Sequence, residues 1–254
     1  MVNYIKTLTE KGSRVDERKF NEYRKPVKIE LGVSKKAEGS AKAIIGNTEV
    51  IAGIKMKVGT PYSDSPDQGV LITSAELLPL SSPEFLPGPP KEKAIELSRV
   101  IDRGIRESKM IDFKKLCVRK GELVWTIFLD IYTINDDGNL IDCAALAALA
   151  ALKNAVFPKL DGDVVLHEEH TKKSIPLTLI PVTSTVVRIG KELFIDPRTE
   201  EEEAMDSRLS ISISERGNVH ALQLGGVAGM TIEEIDKAIE MAKKASLNLR
   251  KALK

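Results

Sequence analysis

The chain has 254 residues, of which 42% are hydrophobic, 30% charged and 4% aromatic. That length allows one large domain or two small ones with a full core, and the composition excludes wholesale disorder. With 38 basic and 37 acidic residues the formal charge is +1, so any nucleic-acid partner must meet a local basic patch rather than a basic protein.

Residues 1–25 are rich in charge and poor in core candidates, which suits an arm or an edge helix. From Val27 to Leu31 apolar and charged residues alternate, the pattern of a half-buried strand. Strands follow over Ala41–Ile45 and Glu49–Val58, split by the turn signal Gly46-Asn47. Gly59–Gly69 is a polar loop, Val70–Leu78 another strand, and Pro79–Pro90 a proline-rich connection. Pro89-Pro90 then leads into a helix over about 92–108, because proline suits a helix start. The β-rich run Val124–Ile134 ends in the turn Asn135-Asp136-Asp137-Gly138-Asn139. Leu140–Val156 is apolar on most sides and reads as a buried helix. Short strands are expected in 163–166, 184–189, 192–195, 209–214 and 218–224. Thr231 with Glu234 three residues on forms a capping box, and Ile232, Ile235, Ile239 and Ala242 continue at helical spacing. The sum is an α+β fold with helices packed on mixed sheets, and its softest internal boundary lies around 158–183.

Cys117 and Cys143 fit no zinc or redox spacing and read as buried, reduced thiols of a cytoplasmic protein. No apolar run is long enough to span a bilayer, and Met1–Arg18 lacks a signal core. His167 and His170 flank Glu168-Glu169 in a polar segment without the HExxH spacing, and His220 stands alone, so no metal and no cofactor is assigned.

Three further patterns admit a functional and a plain reading. Arg99, Arg103 and Arg106 stand at i, i+4 and i+7 on one helix face, with Leu97, Val100, Ile101, Gly104 and Ile105 opposite. Such a stripe grips successive phosphates, or is a solvated face paired with Glu96, Asp102 and Glu107. Glu200–Glu203 with Asp206 could hold Mg²⁺ or supply an acid, or be a solvated turn after Pro197. Gly225-Gly226 and Gly229 precede a capped helix whose N-terminus could take phosphate, or simply form a tight turn.

Four segments together resemble RNase PH-type exoribonuclease subunits. KGSRVDERKFNEYR (11–24) is similar to their Arg-Xaa-Asp-Gly-Arg entry, with Glu17 in place of Gly. SAKAIIGNTEVIAGIK (40–55) resembles their first sheet. EFLPGPPKEKAIELSRVIDRGIRES (84–108) and MDSRLSISI (205–213) resemble one branch, the non-catalytic ring subunits of the archaeal exosome. The resemblance implies an RNase PH-type fold of two similar β-α-β halves, about 26–157 and 158–254, behind an arm at 1–25. It also implies an alternating six-membered ring with a catalytic homologue, RNA-binding cap subunits, and single-stranded RNA degraded from its 3′ end by phosphorolysis.

Catalytic members of the family hold phosphate on a Gly-Thr/Ser-Arg motif at a helix start. Here that stretch is Gly138-Asn139-Leu140-Ile141-Asp142, without the arginine and with an added carboxylate. The paired aspartates of catalytic members have only Glu202 and Asp206 as counterparts. The resemblance therefore implies a subunit without a catalytic centre. It carries RNA-backbone contact onto Arg99 and Arg103, and by shared face onto Arg106. A phosphate-dependent exoribonuclease in its own right, and a scaffold that never touches RNA, are the alternatives.

Overall fold

A computed structural model describes residues 1–253. Helix α1 (Val2–Glu10) opens the chain and leads into strands β1 (Val27–Leu31), β2 (Gly39–Ile45), β3 (Thr48–Gly59) and β4 (Val70–Glu76). Helix α2 (Glu92–Glu107) and a 3-10 turn (Phe113–Leu116) bring the chain to β5 (Cys117–Arg119) and the long β6 (Leu123–Asn135). Helix α3 (Leu140–Asn154) follows, then the hairpin β7 (Val156–Asp161) and β8 (Val164–Ser174). The last part holds β9 (Val182–Ile189), β10 (Glu192–Ile195), α4 (Thr199–Ala204), β11 (Ser207–Ile213), β12 (Val219–Gly226) and α5 (Ile232–Ala252).

The first sheet runs β1-β2-β3-β6-β4, antiparallel except for the parallel pair β4–β6, with β5 added beside β6. Helix α2 lies in the crossover between those parallel strands, the connection a parallel pair demands. The second sheet runs β10-β9-β11-β12, antiparallel throughout. Between the sheets lies α3, packed on β2 and β3 on one side and on β9 on the other. Its alanines and leucines from 144 to 152 are all buried, so an all-round apolar sequence is matched by all-round burial. Helix α5 covers β9 and β11.

Several elements differ from their sequence reading. Helix α3 stops at Asn154, because Val156 already pairs with Ser174 in the β7–β8 hairpin. That hairpin carries His167 and His170 on β8, not in a loop. Cys143 is buried, but Cys117 is only half-buried at the start of β5. The segment before β1 holds more core than its charge suggests. Ile5 packs with Val187, Ile189 and Phe194, and Arg14 is enclosed, its guanidinium gripping Glu201 at 2.9 and 2.6 Å. Glu17 has φ +60°, the left-handed backbone that glycine takes at no steric cost.

Candidate nucleic-acid interface

Helix α2 is amphipathic at the 3.6-residue period, and its apolar face decides its orientation. Ala94, Leu97, Val100, Ile101, Gly104 and Ile105 are buried, whereas Arg99, Arg103 and Arg106 are exposed. Gly104 permits the approach to the second sheet: a Cβ there would lie 2.7 Å from the Ser212 hydroxyl on β11. The helix is thus pressed between β4 and β12 with its arginines outward.

The three arginines are held very differently. Arg106 donates from Nε to Asp102 at 2.6 Å and from Nη2 to the Leu71 carbonyl, and its guanidinium lies 5.9 Å from the Phe113 ring centre. Its donors are largely committed to the fold. Arg103 makes one contact, from Nη1 to Gln223 Oε1 on β12 at 3.2 Å. Arg99 donates to no protein group among the described residues and stands in solvent. Glu96, one turn earlier, is engaged by Arg208 of β11. Arg208 and Gln223 were not singled out in the sequence. Their proximity to α2 comes from the folding of β11 and β12 across it, and no local spacing encodes that.

The start of α3 follows the C-terminal end of β6. Gly138 has φ +87° and Asn139 φ +57°, and a Cβ on Gly138 would meet the Pro197 carbonyl at 2.5 Å. The tight turn therefore needs glycine there. It presents the Asn139 N–H to Glu202 Oε1 at 2.8 Å. The Asn139 side chain donates to Asp142 at 3.1 Å and to Asp196 at 2.9 Å. Asp142 also accepts the Tyr23 hydroxyl at 2.8 Å and the Thr185 N–H at 3.1 Å. Arg24 completes the network through Asp196 and the Gly138 carbonyl.

A helix N-terminus attracts anions because its N–H groups are unpaired and its dipole end is positive. Here the chain's own carboxylates fill that role. Burial lifts Glu202 to about 7 against the N–H bond from Asn139, which lowers it, and burial lifts Asp142 to about 6. Leu140, half-buried against the core, offers no charge to a phosphate.

Glu202 and Asp206 do not converge. Asp206 accepts from Lys6 at 3.0 Å and from the Gly190 N–H at 2.7 Å, on the side of the β9–β10 turn. The run Glu200–Glu203 is not a solvated turn: it forms α4, with Glu201 buried on Arg14. Among the described residues no three His, Cys, Asp or Glu side chains gather as a metal site. His167 instead contacts Glu38 through Nδ1 at 2.9 Å. Gly225 and Gly226 belong to β12 rather than to a phosphate loop, and the N-terminus of α5 is closed by Thr231 and Glu234 bonding each other's backbone N–H. No described helix is long and apolar enough to cross a membrane.

Two family models cover most of this architecture. The 3′ exoribonuclease family, domain 1, matches residues 23–158, and domain 2 of the same family matches 180–245. The chain belongs to the RNase PH family of 3′ exoribonuclease domains.

It is 45% identical over 250 residues to the exosome complex component Rrp42 of Methanosarcina acetivorans, covering 98% of this chain and 91% of that one. To the Rrp42 component of Pyrococcus furiosus it is 43% identical over 258 residues, covering 100% and 92%. Among solved structures, a chain of the Archaeoglobus fulgidus exosome with RNA bound to the active site superposes with a TM-score of 0.93 at 41% identity, covering 100% of this chain and 97% of that one. A chain of an archaeal exosome core gives 0.86 at 37% identity, covering 99% and 95%.

Proposed function

We propose that this chain is the non-catalytic ring subunit of an archaeal exosome, a cytoplasmic complex that degrades RNA from the 3′ end by phosphorolysis. The observation that carries this reading is the start of α3. Leu140 stands where catalytic relatives place an arginine, and Glu202 occupies the Asn139 N–H that an entering phosphate would need. Phosphorolysis requires inorganic phosphate to attack the terminal phosphodiester and release a nucleoside diphosphate. Glu202 already occupies that N–H and Leu140 supplies no cation, so the nucleophile is not held there.

The work of the subunit lies on α2. Arg99 and Arg103 meet the phosphates of single-stranded RNA beside the active site of the neighbouring catalytic homologue, and Arg106 braces the same face. Backbone contacts position a strand without reading its bases, which suits an exonuclease that takes any sequence. The exposed Leu86 and Ile95, which line one groove at the start of α2 with Ile95 four residues before Arg99, support contact with a neighbouring subunit, since clustered apolar exposure marks interaction surfaces. Cap subunits that bind RNA complete the assembly.

The test is direct. The purified chain, incubated with single-stranded RNA, phosphate and Mg²⁺, should release no nucleoside diphosphate, while its mixture with the catalytic homologue should. Processive release by the chain alone would overturn the reading.

A further inference from the structure

The arginine face of α2 carries its own antagonist. Glu96 lies three residues before Arg99, the spacing at which a helical carboxylate and guanidinium pair. Yet Arg99 has no carboxylate partner among the described residues, because the Glu96 carboxylate is taken by Arg208 from β11.

The backbone is built for that diversion. Arg208 lies opposite Gly225 in the β11–β12 ladder. Its guanidinium lies over Gly225, where a Cβ would come within 2.9 Å of Cζ. Any side chain at 225 would push the guanidinium out of its path to Glu96. On the same α2-facing row of β12, two residues back, Gln223 accepts from Arg103. The Gln223 amide donates to the Leu224 carbonyl at 3.1 Å, which fixes Oε1 as the atom facing Arg103. Along α2, Arg99 falls between Glu96 and Arg103, the two residues these rungs engage.

We infer that Arg208 is a positioning residue for RNA binding: by sequestering Glu96 over Gly225 it keeps Arg99 free for phosphate. The inference rests on the reading that α2 meets the RNA backbone, and it adds a residue that touches no RNA. Without Arg208, Glu96 turns to Arg99, neutralises it and places a carboxylate beside the strand.

The experiment uses the ring reconstituted with the catalytic homologue, with assembly verified for each variant. Affinity for a labelled single-stranded RNA is measured by fluorescence anisotropy across a salt series. Arg208→Gln should weaken binding roughly 1.5- to 2-fold at low salt and reduce the salt slope by up to ~0.7, the share of one phosphate contact on a single strand. Introduced into a Glu96→Gln background, the same change should have no effect. Gly225→Ala keeps every charge and only displaces the guanidinium. It should lower affinity in the same direction, again only while Glu96 is present, and it carries the test if Arg208→Gln fails to assemble.

A loss of affinity that persists in the Glu96→Gln background would mean that Arg208 touches RNA itself, and the inference falls. If Arg99→Ala weakens binding while Arg208→Gln and Gly225→Ala leave it unchanged, the inference falls and the RNA-facing role of α2 stands. If Arg99→Ala changes nothing, that role itself fails.

Discussion

Glu202 and Asn139, 63 residues apart, meet at 2.8 Å, the carboxyl of α4 accepting the backbone N–H of the residue that caps α3. The end of the helix that would receive an anion from solution is thereby served from within the chain.

The burial of this carboxyl group, not the bond itself, makes stability depend on pH in a defined direction. Burial raises Glu202 to about 7 and Asp142 to about 6 in the folded chain, from ordinary values of 4.5 and 3.8. Between those limits the native state binds more protons than the unfolded state, so stability falls as pH rises. The contribution is complete below the unfolded values and is gone once pH has passed the folded ones. The thermal midpoint should therefore decline from pH 5 to pH 8. Glu202→Gln should flatten the upper part of that decline, and an unchanged profile would show that Glu202 is charged throughout. The lowered carboxyls, among them Asp16 and Asp206, titrate below this window.

Arg99 and Arg103 should act as separate phosphate contacts. In the assembled ring, Arg99→Ala/Arg103→Ala should reduce the salt slope of RNA binding by about 1.4, at ~0.7 for each contact, with little dependence on sequence. Degradation by the catalytic neighbour should slow. Because Leu97, Val100, Ile101 and Ile105 hold the opposite face, the fold should be unaffected. Equal affinity, slope and turnover in an intact ring would identify the stripe as a solvated surface.

Arg14 should be indispensable to folding. It is fully enclosed, grips Glu201 with two bonds, and donates to the Ile195 and Asp196 carbonyls at 2.9 and 2.8 Å. Removing one member of such a pair leaves a buried charge unpaired, at about 3–5 kcal/mol. Arg14→Ala should lower the denaturant midpoint severely, and Arg14→Ala/Glu201→Ala should recover part of the loss. A single variant as stable as wild type would contradict the buried pair.

The ring should require its partner. Heterologous contacts that return on themselves close a ring only when each surface finds its complement. Light scattering should show a monomer or small oligomer for the chain alone and a six-membered particle with the catalytic homologue. Persistently separate species at micromolar concentration would reject that partner.

The legible parts of the fold are those whose pattern is local. Helix α2 announces itself by apolar residues at 97, 100, 101, 104 and 105, and α3 by a run apolar on every side. Helix α4 does not, because four successive glutamates look solvated until Arg14, 187 residues away in sequence from Glu201, is folded against them. The β7–β8 hairpin was legible only in part, since β8 is almost wholly exposed and lacks the alternation that marks a strand. The same limit applied to the arginine face. Its three members could be read from their spacing, but Gln223 and Arg208, which separate the tethered arginine from the free one, enter through sheet pairing.

Helix α3 fills the space between two sheets largely with alanine methyls, with Leu146, Leu149 and Leu152 between them. Its alanines at 144, 145, 147, 148, 150 and 151 are all buried. On the first sheet, Gly39 comes so near that a Cβ would lie 2.5 Å from the Ala151 carbonyl. The gap is set by what is absent from those positions. A helix clamped so closely on two sides cannot slide or roll without collision, so the outer edges of both sheets keep a constant separation. The molecule is in this respect a spacer of fixed width, suited to being a stiff block in a larger wall and ill suited to opening and closing.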